Sequence, residues 1–273
     1  MPSSSSPRLA SMAMPSRVRI YEVGPRDGLQ NEATPIPTAA KLEYIRLLAA
    51  AGLREIEATS FVSPRAIPQL ADADALLPAL LAGSPPGVRY PVLVPNERGF
   101  DRAQAAGADA LAVFTAASDA FTQANIGMSV AESLDAFAPV LRRGRDAGWW
   151  TRAYVSTAFG CPFSGAVEPA RVVEVALALR DLGAEEVCVG DTIGVGGPSD
   201  SSQCLDCRMV DFRGAGSKEV SGDPEQGVRA RGRCVIASSR HEHHLDRSVV
   251  RAHGSKDLQK PLSRVRLPRG VTG

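Results

Sequence analysis

Short strand-like runs at residues 18–23, 55–59, 89–94, 110–115, 150–156 and 186–190 alternate with helical patterns along the first two-thirds of the chain. Such alternation predicts a parallel sheet, because consecutive parallel strands need a crossover, usually a helix, between them. The helical faces agree: Leu42, Ile45 and Leu48 share one, and Val172, Val175, Ala176 and Leu179 share another. Ser129 followed by Glu132 predicts a capping box, and Pro169 predicts a first-turn proline. Gly52, Gly107, Gly148 and Gly183 each close a helical run and precede a strand, which predicts left-handed helix stops. An open doubly wound sheet and a closed barrel both satisfy this pattern. No glycine-rich nucleotide fingerprint follows the first strand, which favours the barrel. Polar residues also gather just past strands, as Arg26-Asp27, Glu57-Ala58-Thr59-Ser60 and Asp191-Thr192. That is where a TIM (β/α)8 barrel places its chemistry.

Composition narrows the class. A chain of 273 residues with 44% hydrophobic content and a formal net charge of +1 is expected to be a globular protein with a substantial core. That balance calls for neither nucleic acid nor a membrane as partner, and no apolar run is long enough to span a bilayer. Five cysteines, an odd number, read as reduced thiols of an intracellular protein. Residues 1–17 are rich in Ser and Pro, with Arg8 and Arg17, and the first acidic residue is Glu22. They read as a short disordered leader, with a weak organelle-targeting peptide and an internal start at Met14 as alternatives. The expected location is cytoplasmic, and the mitochondrial matrix is the alternative.

Where the first strand ends, Gly24-Pro25 leads into Arg26-Asp27. Gly24 and Gly28 are expected to let the backbone turn sharply and approach a ligand. A carboxylate at a strand end suits a hard divalent cation, and a guanidinium beside it suits a developing oxyanion. A surface salt bridge has the same residue types.

The flanking residues separate these readings. Val23-Gly24-Pro25-Arg26-Asp27-Gly28-Leu29-Gln30-Asn31-Glu32 closely resembles the signature of hydroxymethylglutaryl-CoA lyases. In order behind it come Ile56-Glu57-Ala58-Thr59-Ser60-Phe61-Val62-Ser63-Pro64, Tyr90-Pro91-Val92-Leu93-Val94-Pro95-Asn96 and Arg152-Ala153-Tyr154-Val155-Ser156. Gly160-Cys161-Pro162-Phe163 and Gly190-Asp191-Thr192-Ile193-Gly194-Val195-Gly196 complete the series, so the likeness runs over residues 18–196. The resemblance implies a TIM barrel that cleaves hydroxymethylglutaryl-CoA to acetyl-CoA and acetoacetate with a divalent metal, Mg²⁺ or Mn²⁺. By the same resemblance Asp27 is the metal-binding aspartate and Arg26 steadies the enolate oxygen. Glu57 and Asp191 match acidic positions lining the site, where they would orient metal-bound water or the hydroxyl. Glu57 has a second reading, as a buried carboxylate paired with an arginine. Arg152 and Tyr154 alternate on one strand and so face the same side, and Gln30 lies near the metal end. Cys161 reads as a buried small residue. A homodimer is one option for the assembly.

Beyond residue 198 the pattern changes: alanine becomes scarce, Arg, Ser and Gly take over, and all four histidines fall here. The chain therefore divides into a leader (1–17), the first six βα units of a barrel (18–198) and a tail (199–273). The tail is expected not to continue the fold, through a shifted reading frame, an unrelated terminal exon or a family-specific extension. Runs at 234–237 and 248–251 are strand-like, without a helix between them. The family's His-x-His pair, its reactive-cysteine loop and its asparagine ligand cannot be placed on this sequence. Neither His241-Glu242-His243 nor Cys204 with Cys207 has the flanking residues or spacing of a known metal site. An inactive family member, and a barrel running an aldol-type condensation or carboxyl transfer, stand as competing readings.

Overall fold

The computed structural model describes residues 19–196 and the backbone of residues 233–238. Its sheet contains β1 (Thr59–Ser60), β2 (Val92–Leu93), β3 (Ala110–Ala116), β4 (Trp150–Ser156), β5 (Glu186–Asp191) and β6 (Arg233–Ser238). Neighbours pair in chain order, β1 through β6, and every pair is parallel. A doubly wound sheet reverses its strand order at a switch point. The uninterrupted order here is that of a TIM (β/α)8 barrel, and the described residues build part of one.

The helices α1 (Thr38–Ala50), α2 (Ala73–Leu81), α3 (Glu97–Ala105), α4 (Asp119–Ile126), α5 (Val130–Asp146) and α6 (Pro169–Asp181) are interleaved with the strands, α4 and α5 both following β3. Val172, Val175, Ala176 and Leu179 of α6 are all buried, as their spacing predicts. On α1 the fully buried position is Ile45, while Leu42 and Leu48 pack against the core from its margin. The Ser129–Glu132 capping box forms, and Pro169 opens α6. Gly52, Gly107, Gly148 and Gly183 take φ values of 97°, 86°, 73° and 113°, which side chains other than glycine rarely adopt.

The first strands are shorter than the sequence suggests. Among the described residues of the run at 18–23, only Glu22 pairs, through a parallel bridge with Ile56. The amide of Glu22 donates to Glu55 O at 2.9 Å, and the amide of Glu57 donates to Glu22 O at 2.8 Å. Beyond Val23 the chain enters a π-helical turn at Gly24–Gly28, in which the amides of Arg26 and Asp27 both donate to Val23 O. Pro91 then interrupts the next ladder, because proline has no amide hydrogen to donate. The bridges stop at Glu55–Arg89 and resume at Thr59–Val92, while the Pro91 carbonyl still accepts from the amide of Ala58 at 3.0 Å.

The strand expected at 234–237 falls on β6, whose backbone pairs with β5 from Glu186–Arg233 to Asp191–Ser238. The run at 248–251, the leader, His241, His243, Cys204 and Cys207 lie outside the described residues.

Gly144 tests how closely α5 sits on the sheet. In an open helix, alanine is favoured over glycine by about 1 kcal/mol. Here a Cβ would lie 2.8 Å from Leu111 Cδ2 and 3.1 Å from Thr151 Cγ2, both on buried strand residues. Overpacking reverses the sign, and Gly144→Ala should destabilise the fold by about 1–3 kcal/mol in a denaturant titration.

Candidate active site

Period-two alternation builds the interior in two tiers. Arg19 and Tyr21, Glu55 and Glu57, and Arg152 and Tyr154 are each two residues apart on extended chain, so each pair faces one side at successive levels. Of the residues between, Ile56 and Ala153 are buried on the other face, whereas Ile20 is exposed.

In the lower tier Glu55 Oε1 accepts from Arg19 Nη1 at 2.8 Å and from Arg89 Nη1 at 3.1 Å. Glu186, opposite Arg152 in the β4–β5 register, accepts from Arg19 Nη2 and from Arg152 Nη1. Alternating charges therefore run from Arg89 through Glu55, Arg19 and Glu186 to Arg152. The Arg89 guanidinium also lies 4.5 Å from the centre of the Trp150 ring.

The upper tier centres on Glu57, which is wholly buried. Its Oε2 accepts from Tyr21 Oη at 2.8 Å and from Tyr154 Oη at 2.5 Å. Its Oε1 accepts from Arg26 Nε at 2.5 Å, and Arg26 Nη1 donates to Asp27 Oδ1 at 2.6 Å. Arg152 joins the tiers: its guanidinium lies 3.9 Å from the Tyr21 ring centre and 4.9 Å from that of Tyr154. Burial, followed by the Glu57 charge, pushes both phenols well above the ordinary tyrosine range, so they remain donors. Burial alone would lower the Arg26 guanidinium, but the Glu57 and Asp27 carboxylates raise it above its usual value.

Arg26, Asp27, Glu57 and Tyr154 are thus joined by direct hydrogen bonds, with Arg152 immediately beneath. Of the two readings for Glu57, pairing with an arginine is what the geometry shows. Gln30 is buried one helical turn beyond Arg26. Asp191 ends β5, where Oδ1 accepts from the amide of Val195 at 3.1 Å and Oδ2 from that of Gly196 at 2.9 Å. Those bonds order the loop after β5. Thr192 Oγ1 in turn accepts from the amide of buried Thr157, which follows β4 at a φ of 55°, unusual for a β-branched residue.

At Gly24, which opens the turn, φ is not left-handed, and a Cβ would lie 2.8 Å from both Glu22 Oε1 and Tyr44 Oη. Cys161 is buried as expected and accepts from Ser118 Oγ at 3.0 Å. Burial pushes its thiol up, but the hydrogen bonds around it together bring it below the usual cysteine value.

Among the described residues no three His, Cys, Asp or Glu side chains converge as metal ligands. Asp27 is about half exposed, and one of its oxygens already accepts from Arg26. The described residues alone therefore do not fit a divalent metal, which needs several oxygen ligands.

Tyr21, Arg19, Glu55 and Glu186 were not singled out from sequence. Period-two spacing from Glu57 is the signal that marks Glu55, and the same spacing links Arg19 to Tyr21.

Parallel strands in chain order, with charged and phenolic groups gathered inside them, define an α/β domain of the TIM-barrel class. The family described as HMGL-like matches residues 17–210, and the chain belongs to that family. It is 51% identical over 189 residues to the hydroxymethylglutaryl-CoA lyase of Pseudomonas mevalonii, covering 69% of this chain and 62% of that protein. It is 50% identical over 185 residues to the mitochondrial hydroxymethylglutaryl-CoA lyase of Rattus norvegicus, covering 68% of this chain and 56% of that one. The crystal structure of hydroxymethylglutaryl-CoA lyase from Pseudomonas aeruginosa superimposes with a TM-score of 0.68 at 45% identity, covering 71% and 64% of the two chains. The chain therefore spans 56–62% of the length of these two curated relatives. No helix among the described residues is long and apolar enough to cross a membrane.

Proposed function

We propose that this chain is a hydroxymethylglutaryl-CoA lyase, cleaving its substrate to acetyl-CoA and acetoacetate. The observation that carries the reading is the Arg26–Glu57 pair, in which a wholly buried carboxylate holds the guanidinium of the Gly24–Gly28 turn. In the reaction a base takes the proton of the tertiary hydroxyl, and that carbon becomes the ketone of acetoacetate. The carbon–carbon bond breaks, and its electron pair moves onto the thioester as an enolate, which a proton then converts to acetyl-CoA. Arg26 meets the enolate oxygen. With Nε and Nη1 committed to Glu57 and Asp27, Nη2 is the donor left for that oxygen. Glu57 fixes Arg26, Asp191 holds the loop after β5 against the strand ends, and Gln30, Arg152 and Tyr154 shape the substrate side. The resemblance assigns the family a divalent metal, Mg²⁺ or Mn²⁺, with Asp27 as the ligand carried here. In this reading residues 18–198 carry the lyase domain after a leader, and β6 from the tail pairs beside β5.

The test is release of acetoacetate from hydroxymethylglutaryl-CoA by the purified chain, across a range of Mg²⁺ and Mn²⁺ concentrations. Turnover is the expected result. A folded chain that releases none at any metal concentration would instead be an inactive member of the family.

A further inference from the structure

We propose that Tyr21 is a positioning residue of this site: with Tyr154 it clasps one oxygen of Glu57 and so fixes the other, and the Arg26 guanidinium bound to it, in a single orientation. The inference rests on the lyase reading for its kinetic consequence, but the clasp itself does not.

A carboxylate is nearly symmetric about its terminal torsion and can rotate unless its oxygens are held differently. At Glu57 they are. Both phenols donate to Oε2, which leaves Oε1 to the Nε of Arg26. The two phenols reach Glu57 from different segments, Tyr21 beside the Glu22 bridge and Tyr154 on β4. Tyr21 cannot swing easily, because its ring is held on several sides. The Arg152 guanidinium covers it at 3.9 Å, the Trp150 ring stands at 6.2 Å, and the Tyr154 ring meets it edge-on at 6.5 Å. The hydroxyl is thus aimed by ring packing and spent on a carboxylate that does not itself need to touch substrate. Replacing Tyr21 by phenylalanine would keep the ring contacts and remove only the donor.

The experiment uses the full chain with Tyr21→Phe, Glu57→Gln and the double variant. Tyr21→Phe should lower kcat for acetoacetate release by about tenfold, the size of one hydrogen bond to a charged group, with KM nearly unchanged. In the Glu57→Gln background the same change should have no further effect, since the hydroxyl acts only through that carboxylate. A role confined to packing would lower the unfolding midpoint and leave kcat alone. An unchanged kcat, or an equal loss in both backgrounds, overturns the proposal.

If the parent chain releases no acetoacetate, the lyase reading fails and the clasp is read by tyrosinate absorbance during alkaline titration. Tyr21 faces Glu57, Tyr154, Arg152 and, through Glu57, Arg26. In the parent chain Tyr21 and Tyr154 should ionise after exposed Tyr44. Tyr21→Phe should remove one late-ionising group, and Glu57→Gln should move the remaining ones earlier. A Tyr21 that ionises together with Tyr44 overturns the clasp.

Discussion

Arg26→Lys should lower the rate of hydroxymethylglutaryl-CoA cleavage by about 10²–10³-fold, the loss typical of removing one oxyanion donor, while the chain stays folded. Lysine keeps the charge but not the fork. Arg26 binds Glu57 through Nε and Asp27 through Nη1, so one planar group joins a buried carboxylate to a half-exposed one. A single ammonium cannot hold both and still present a third donor in the same plane. Arg26→Met should also cost about 3 kcal/mol of stability, because Glu57 would lose its cation while remaining wholly buried. The two tyrosine hydroxyls still bonded to Oε2 keep that cost at the lower end for a broken buried pair. Acetoacetate release and a denaturant titration on both variants read the two effects separately. A lysine variant with the parent kcat would remove Arg26 from the chemistry.

Where one local rule dominates, the structure is legible in the sequence: the Ser129–Glu132 box, the left-handed glycines and the bounds of β4 are set by chemistry within a few residues. The first strand was overread because Val and Ile favour extended chain locally. Pairing, however, is decided by a partner segment and by where the π-helical turn begins. The site shows the same division. Arg26 and Glu57 could be named from motifs, yet which Glu57 oxygen each donor takes depends on segments up to 97 residues apart, as with Tyr154. Asp191 was read as an acid lining the site. The amides of Val195 and Gly196 that it accepts from come from the conformation of its own loop, which no residue pattern encodes. Tyr21 was passed over as a strand residue beside a more conspicuous turn.

Glu186→Leu should be the most destabilising single change in the lower tier, at about 3–5 kcal/mol by denaturant titration. Glu186 and Arg152 are both 2% exposed, and Arg152 Nε already lacks a hydrogen-bond partner among the described residues. Removing the carboxylate leaves the Arg152 guanidinium with aromatic faces on the Tyr21 and Tyr154 side and no anion at Nη1. Arg19, a third exposed, can turn to water and loses little. The contrast with Glu55→Gln is the control: its partners Arg19 and Arg89 both reach solvent, so that change should cost only about 1 kcal/mol. The double variant Arg152→Met/Glu186→Leu removes both charges and should recover most of the stability, because the desolvation cost disappears along with the attraction. If Glu186→Leu alone proves as mild as the double variant, charge pairing is not what holds this tier. The recovered double variant then separates stability from function. It is folded, yet the cation beneath the Tyr21 and Tyr154 rings is gone, so any turnover it fails to regain measures what Arg152 contributes to orienting the phenols on Glu57.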